Sequence, residues 1–159
     1  MKRALTTALL IALSTSAGVW AEEKTAAQMT IQRNGEQASM TGPEQLFTGA
    51  ARIDPLFGGE HQKNASAAYV TFEPGARSNW HTHPGGQFLV VTSGVGWVQQ
   101  EGRNIEVIKP GDLVWTPPGV RHWHGASDSV GMTHMAIQFY AEGEVVDWQE
   151  AVTDAQYQH

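Results

Sequence analysis

The chain has 159 residues, 41% of them apolar and 16% charged, with a formal net charge of −6; that is enough for one domain with a real core rather than two. No basic run exceeds two residues, which argues against a nucleic-acid surface built on a basic patch. The lack of cysteine excludes disulfides, thiolate nucleophiles and cysteine-ligated metal together.

Residues 1–21 follow the order of a secretory leader: Lys2 and Arg3, the apolar run Ala4–Leu13, then small residues and Val19-Trp20-Ala21 before Glu22. The apolar run is short for a permanent anchor across about 30 Å of hydrocarbon. The expectation is cleavage after Ala21, a periplasmic or secreted product and no membrane partner. Residues 22–45 are polar and read as an N-terminal arm, with a short strand expected over Met29–Arg33. Residues 46–159 form the expected domain.

Within it, brief apolar segments alternate with turn residues. The stretch LFTGAARI precedes a long loop expected over PLFGGEHQKN. Strands are then expected over Ala67–Glu73, Trp80–His83, Gln87–Thr92, Val95–Gln100, Ile105–Ile108 and Leu113–Thr116. A strand carrying His122 and His124 follows Pro117-Pro118-Gly119, and Met132–Tyr140 and Val145–Gln149 complete the series. Thr153 or Asp154 is placed to cap a short C-terminal helix. Short strands between Gly/Pro turns, with almost no helix, mean an all-β sandwich or barrel.

Two histidine pairs stand out. His81 and His83 are two residues apart, so in extended chain they leave from one face, and Gln87 follows just after Pro84-Gly85-Gly86. His122 and His124 repeat that spacing downstream. Imidazoles delivered from two separate strands are what a divalent metal needs. If the strands flanking Ala126–Val130 pair symmetrically about Ser129, His134 lies opposite His124 on the same face as His122.

The pattern Gly75-x5-His81-x-His83-x3-Gln87-x6-Gly94 resembles the first motif of the cupin superfamily, with Gln where most cupins carry Glu. Gly111-x5-Pro117-x-Gly119-x2-His122 resembles the second, with Ala126 at the usual Asn. The segments RIDPLF, TFEPGAR, PGDLVW, HWHGA and VDW-x-E look like the small bacterial cupin hydroxynitrile lyases, of the (R)-mandelonitrile lyase type, from about Ala38 to Tyr157. The resemblance implies a jelly-roll β-barrel, usually with manganese, held here by His81, His83, Gln87 and His122. It also implies that His124 and His134 transfer protons, with Ser78 a hydroxyl in the same pocket. His134 is expected to be the principal base, and a homodimer or homotetramer is expected.

Four neutral ligands leave the +2 charge of a metal uncompensated, which favours an oxyanion and strengthens Lewis acidity. Cyanohydrin cleavage to an aldehyde and hydrogen cyanide uses both, with histidine moving the proton. A metal-dependent dioxygenase and a non-catalytic periplasmic cupin binding a small acid are the alternatives. Fe, Co, Ni or Zn would also suit these donors. Trp80, Trp97, Trp115, Trp123, Phe72 and Phe88 are candidates for an aromatic pocket or, more ordinarily, for core and interface. Arg77 and Arg121 are expected at the surface, and His61 and His159 are expected to be solvated bystanders.

Overall fold

The computed structural model describes residues 28–58 and 64–158. Ile31–His159 form one compact unit. The expected leader, His61 and His159 lie outside the described residues.

Thirteen strands and one helical turn follow one another among the described residues. The first six strands are β1 (Met40–Thr41), β2 (Phe47–Thr48), β3 (Ala51–Phe57), β4 (Ala65–Phe72), β5 (Arg77–Ser78) and β6 (His81–Thr82). Then come β7 (Gln87–Gly94), β8 (Gly96–Gln100), β9 (Glu106–Ile108), β10 (Leu113–Thr116) and β11 (His122–Ala126). The series closes with β12 (Met132–Phe139), β13 (Asp147–Trp148) and α1 (Asp154–Tyr157). One sheet runs β1-β3-β4-β12-β7-β10, and the other runs β13-β6-β11-β5-β2 with β8 and β9 joined to it. The all-β barrel expected from the turn-rich sequence is present, with the short C-terminal helix capped by Thr153.

Several expectations need correction. No strand forms over residues 29–33. Pro55, Leu56 and Phe57 belong to β3 rather than to a loop. Proline is tolerated there because the ladder to β4 is irregular between Pro55 and Phe57. The largest correction concerns β11 and β12, which are not a hairpin. β11 pairs with β8, β5 and β6, whereas β12 pairs with β4 and β7 in the other sheet. The five residues between them carry the chain across the barrel. Ser127 N–H donates to Val95 O, and Ser127 O accepts from Gly75 N–H.

The period of two then decides what faces the interior. On β12 the inward residues are Met132, His134, Ala136 and Gln138; their direct partners on β4 are Phe72, Val70, Ala68 and Ser66. On β7 the inward residues Gln87, Leu89 and Val91 are buried while Phe88 and Val90 are half-buried. Phe47, Ala51, Val70, Phe72, Val91 and Met132 belong to a core between the sheets. A second core, outside β11, joins Trp80, Trp97, Trp123, Val152 and Tyr157.

The C-terminal segment is fastened over that second core. Arg77 Nη2 donates to Val152 O at 2.9 Å and to Asp154 Oδ1 at 2.6 Å, and the guanidinium lies 4.5 Å above the Tyr157 ring. Tyr157 donates its hydroxyl to Ala126 O at 2.8 Å. Arg77 is only 5% exposed, so the expectation of a surface role is wrong for it: a buried guanidinium is tolerated here because carbonyls and a carboxylate occupy its donors. Arg121 instead lies over Trp80 and bridges Glu101 and Glu150.

Candidate metal centre

His81 and His122 are direct partners in the β6–β11 ladder, and His83 follows β6 on the same face. Gln87 opens β7 in the facing sheet, after a turn that needs its glycine. Gly86 has φ +82°, and a Cβ there would lie 2.4 Å from the Trp115 ring. The ligand atoms of His81, His83 and His122 all lie within 4.8 Å of one another, and all three side chains are buried.

Backbone carbonyls fix the tautomers. Asn79 O faces His81 Nδ1 at 2.9 Å, Val145 O faces His83 Nδ1 at 2.7 Å and Val120 O faces His122 Nδ1 at 3.0 Å. A carbonyl can only accept, so each Nδ1 carries the proton and each Nε2 turns a lone pair toward the others. Burial keeps the rings neutral. It lowers His81 well below the ordinary histidine value, reinforced by the neighbouring His122 and His83, and it lowers His83 and takes His122 to about 4.

The donor set fits a cation. His122 Nε2 lies 3.1 Å from Gln87 Oε1, and with Nδ1 protonated both atoms are acceptors. Two lone pairs at that distance are favourable only with a cation between them. His83 Nε2 is buried with no hydrogen-bond partner, a condition that costs about 1–3 kcal/mol when nothing fills it. Three imidazole nitrogens and one amide oxygen are thus available to a divalent ion.

Beside this cluster is a cavity of about 110 Å³. His81, His83, Gln87 and His124 line its polar side, and Phe47, Ile53, Val70, Val146 and Trp148 are on the apolar side. Its space comes from a cross-strand pair of small residues, Ala68 opposite Ala136, both on the inner face. No carboxylate lines it among the described residues. A larger hollow of about 310 Å³ is lined by Arg103, Glu106, Trp115 and His122 among others, without His81, His83 or Gln87. The smaller cavity is therefore the one that meets the ligand set.

His124 and His134 do meet, as the sequence suggests, but across the two sheets and not along one. His134 Nε2 lies 3.1 Å from His124 Nδ1, and the ring centroids are 4.7 Å apart. His124 lines the cavity, whereas His134 is wholly buried and does not. Burial lowers both: His124 well below the ordinary value, helped by His134 and His81, and His134 to about 3. Ser78 is also fully buried, and its Oγ accepts from the backbone N–H of His124 at 3.2 Å. It touches the strand that holds His124, not the cavity.

The sequence reading missed the residues that shape the cavity. Phe47 and Trp148, 5.7 Å apart edge to face, supply its aromatic wall. Trp80, Trp97 and Trp123 belong to the second core, Phe72 to the first, and Phe88 packs on Trp115 at 4.5 Å. Gln138 was signalled only by its even spacing from His134 and Ala136 on one strand.

Two facing sheets that enclose three imidazoles, an amide and an apolar cavity define a β-barrel able to hold a metal ion. Comparison with known proteins agrees on the fold. The cupin domain family pattern matches residues 68–137. A curated protein of Granulicella tundricola named (R)-mandelonitrile lyase is 57% identical over 129 residues, covering 81% of this chain and 98% of its own. A solved cupin-like protein of Thermotoga maritima is 37% identical with a TM-score of 0.71, covering 81% of this chain and 95% of that one. A polyketide cyclase of Streptomyces resistomycificus, 14% identical with a TM-score of 0.64 over 82% of this chain and 91% of its own, shares the fold alone. The chain belongs to the cupin family.

Proposed function

We propose that this cupin is an enzyme, a metal-dependent lyase that reversibly cleaves aromatic cyanohydrins of the mandelonitrile type to aldehyde and hydrogen cyanide. The observation that carries it is a cavity faced by three of the four neutral ligands (His81, His83 and Gln87), by the neutral His124 and by an aromatic wall, with His122 in the same histidine cluster. The Granulicella relative's name supports the same reaction class. His81, His83, His122 and Gln87 would hold the ion, for which Mn²⁺ is the proposed identity. When bound, the ion supplies Lewis acidity to the substrate oxygen.

The remaining chemistry belongs to the chain. When His124 donates its Nδ1–H to His134 Nε2, its own Nε2 is left as an unprotonated base on a ring that lines the cavity. That nitrogen takes the hydroxyl proton as the C–CN bond breaks. The oxygen lone pair becomes the carbonyl π bond, and the bond electrons leave with cyanide. The same proton then passes from His124 to cyanide, so hydrogen cyanide departs and the base is regenerated. His134 stays behind His124, orienting the ring; this assigns the substrate-facing role to His124 instead of to His134. Ser78 holds the backbone of the same residue. Phe47 and Trp148 pack on the aryl group and keep water out.

The deciding experiment loads the purified protein with Mn²⁺ and follows benzaldehyde release from mandelonitrile without oxygen. Oxygen-independent release is expected; consumption that requires oxygen would indicate a dioxygenase, and binding without turnover a sensor. We further propose export after cleavage following Ala21, checked by mass spectrometry of secreted protein beginning at Glu22. A homodimer or homotetramer is proposed, and a strictly monomeric species in sedimentation at micromolar concentration would contradict it.

A further inference from the structure

The run from Arg77 to Thr82 lies along β11 in two pieces, β5 and β6, broken at Asn79 and Trp80. Its other edge is covered by two separate strands of two residues each, β2 on β5 and β13 on β6. They come from opposite ends of the domain and carry the aromatic wall: Phe47 pairs with Ser78, and Trp148 with His81. Among the described residues no hydrogen bond joins β2 or its flank directly to β13 or its flank. The side chain of Asn79 spans that gap. Its Nδ2 donates to Gln45 O at 2.8 Å and to Gln149 O at 3.0 Å, one carbonyl from each flank. Both partners can only accept, so a flipped amide would set Oδ1 against two carbonyls and lose both bonds. Asn79 is 5% exposed, and its backbone carbonyl is the one that accepts from His81 Nδ1.

We infer that Asn79 is a positioning residue whose amide, bonded to both flanks, holds Phe47 and Trp148 in the edge-to-face contact of the aromatic wall and so sets how well the cavity takes an aryl group. An amide suits the task because it offers two hydrogens on one nitrogen, whereas a hydroxyl offers one. Each edge strand has only two ladder residues. Without the amide the two flanks move independently, and rings 5.7 Å apart lose their shared geometry. That the occupant is an aromatic substrate rests on the lyase reading above. The coupling of the two strands does not.

Benzyl alcohol, an unreactive alcohol with the same aryl group, separates the wall from the reaction, and its dissociation constant is measured by calorimetry on Mn²⁺-loaded protein. The wild type should bind it. Asn79→Leu, similar in size but without donors, should bind it about 3–10-fold more weakly, the scale of one aromatic contact. Asn79→Ser, whose single hydrogen reaches one flank at most, should lose as much and serves if the first variant does not fold. Both should keep one Mn²⁺ per chain, since the backbone carbonyl that orients His81 is retained. In a Trp148→Ala background the same substitutions should add nothing, because the contact they disturb is already gone. For mandelonitrile the loss should fall on KM with kcat little changed. Unchanged affinity in both variants, an equal further loss in the Trp148→Ala background, loss of the metal, or a loss confined to kcat would overturn the inference. So would a wild type that does not bind benzyl alcohol. A wild type that binds it but cleaves no cyanohydrin would remove the lyase reading, while the affinities still decide the role of Asn79.

Discussion

His122 and His124 leave one face of β11 and Trp123 leaves the other, and the two faces do different work. The inner face meets polar atoms that lack partners of their own, His83 Nε2 in the ligand cluster and His134 Nδ1 in the histidine pair with His124. On the outer face the β11 residue itself is satisfied. Trp123 is fully buried, donates its indole N–H to Gln99 Oε1 at 2.8 Å, and packs on Tyr157 with ring centroids 5.7 Å apart. A strand buried on both sides keeps its histidines neutral, and the surplus stability of the outer face offsets what the inner face leaves unsatisfied. Chemistry and stability should therefore separate by residue parity along five residues of chain.

The sharpest break of that contrast is at the ligands. His81→Ala should abolish stoichiometric Mn²⁺ binding, measured by elemental analysis, while the fold persists. Unchanged metal content would remove the ligand assignment. Gln87→Glu should keep the ion and weaken turnover, since a carboxylate reduces the net positive charge at the site.

On the outer face, Trp123→Ala should cost about 3–5 kcal/mol of unfolding free energy, read by denaturant titration, with KM little changed. A loss of activity without loss of stability would show that the two faces are not separable. Tyr157→Phe should cost about 1 kcal/mol through the hydrogen bond to Ala126 O. The C-terminal segment also supplies Val145 O to His83 and Trp148 to the cavity, so this variant should shift substrate affinity slightly as well.

Acid should act on the inner face first. The buried histidines have folded pKa values depressed below that of the unfolded chain, so the unfolded state binds protons more readily. Stability from burying them is fully present above about pH 6.5. For His134 it is lost as pH falls from there toward about 3. His134→Asn should flatten the pH dependence of the apo protein's melting temperature across that window. An unchanged profile would mean the burial of His134 contributes no such linkage.

How much of this could be read in the sequence follows from how local each signal is. The i, i+2 histidine spacing is local, and a strand converts it into a shared face without reference to the rest of the fold. Gln87 was legible for the same reason, one turn further on. The hairpin expected between β11 and β12 failed because strand partners are chosen by the whole topology. His124 and His134 still meet, because both inner faces point into the same narrow space. Phe47 and Trp148 come from opposite ends of the domain, and no spacing rule joins them. Arg77 looked like a surface residue because the C-terminal carbonyl and carboxylate that bury it lie far along the chain.

The division of labour on the inner face of β11 is tested most directly by measuring metal content and turnover on the same preparations of His122→Ala and His124→Ala. His122→Ala should lose the ion. His124→Ala should retain one Mn²⁺ per chain and a native circular dichroism spectrum, yet lose about 10²–10⁴-fold in mandelonitrile turnover, the usual effect of removing a general base. Wild-type turnover in His124→Ala, or loss of its metal, would contradict the assignment of the proton to His124.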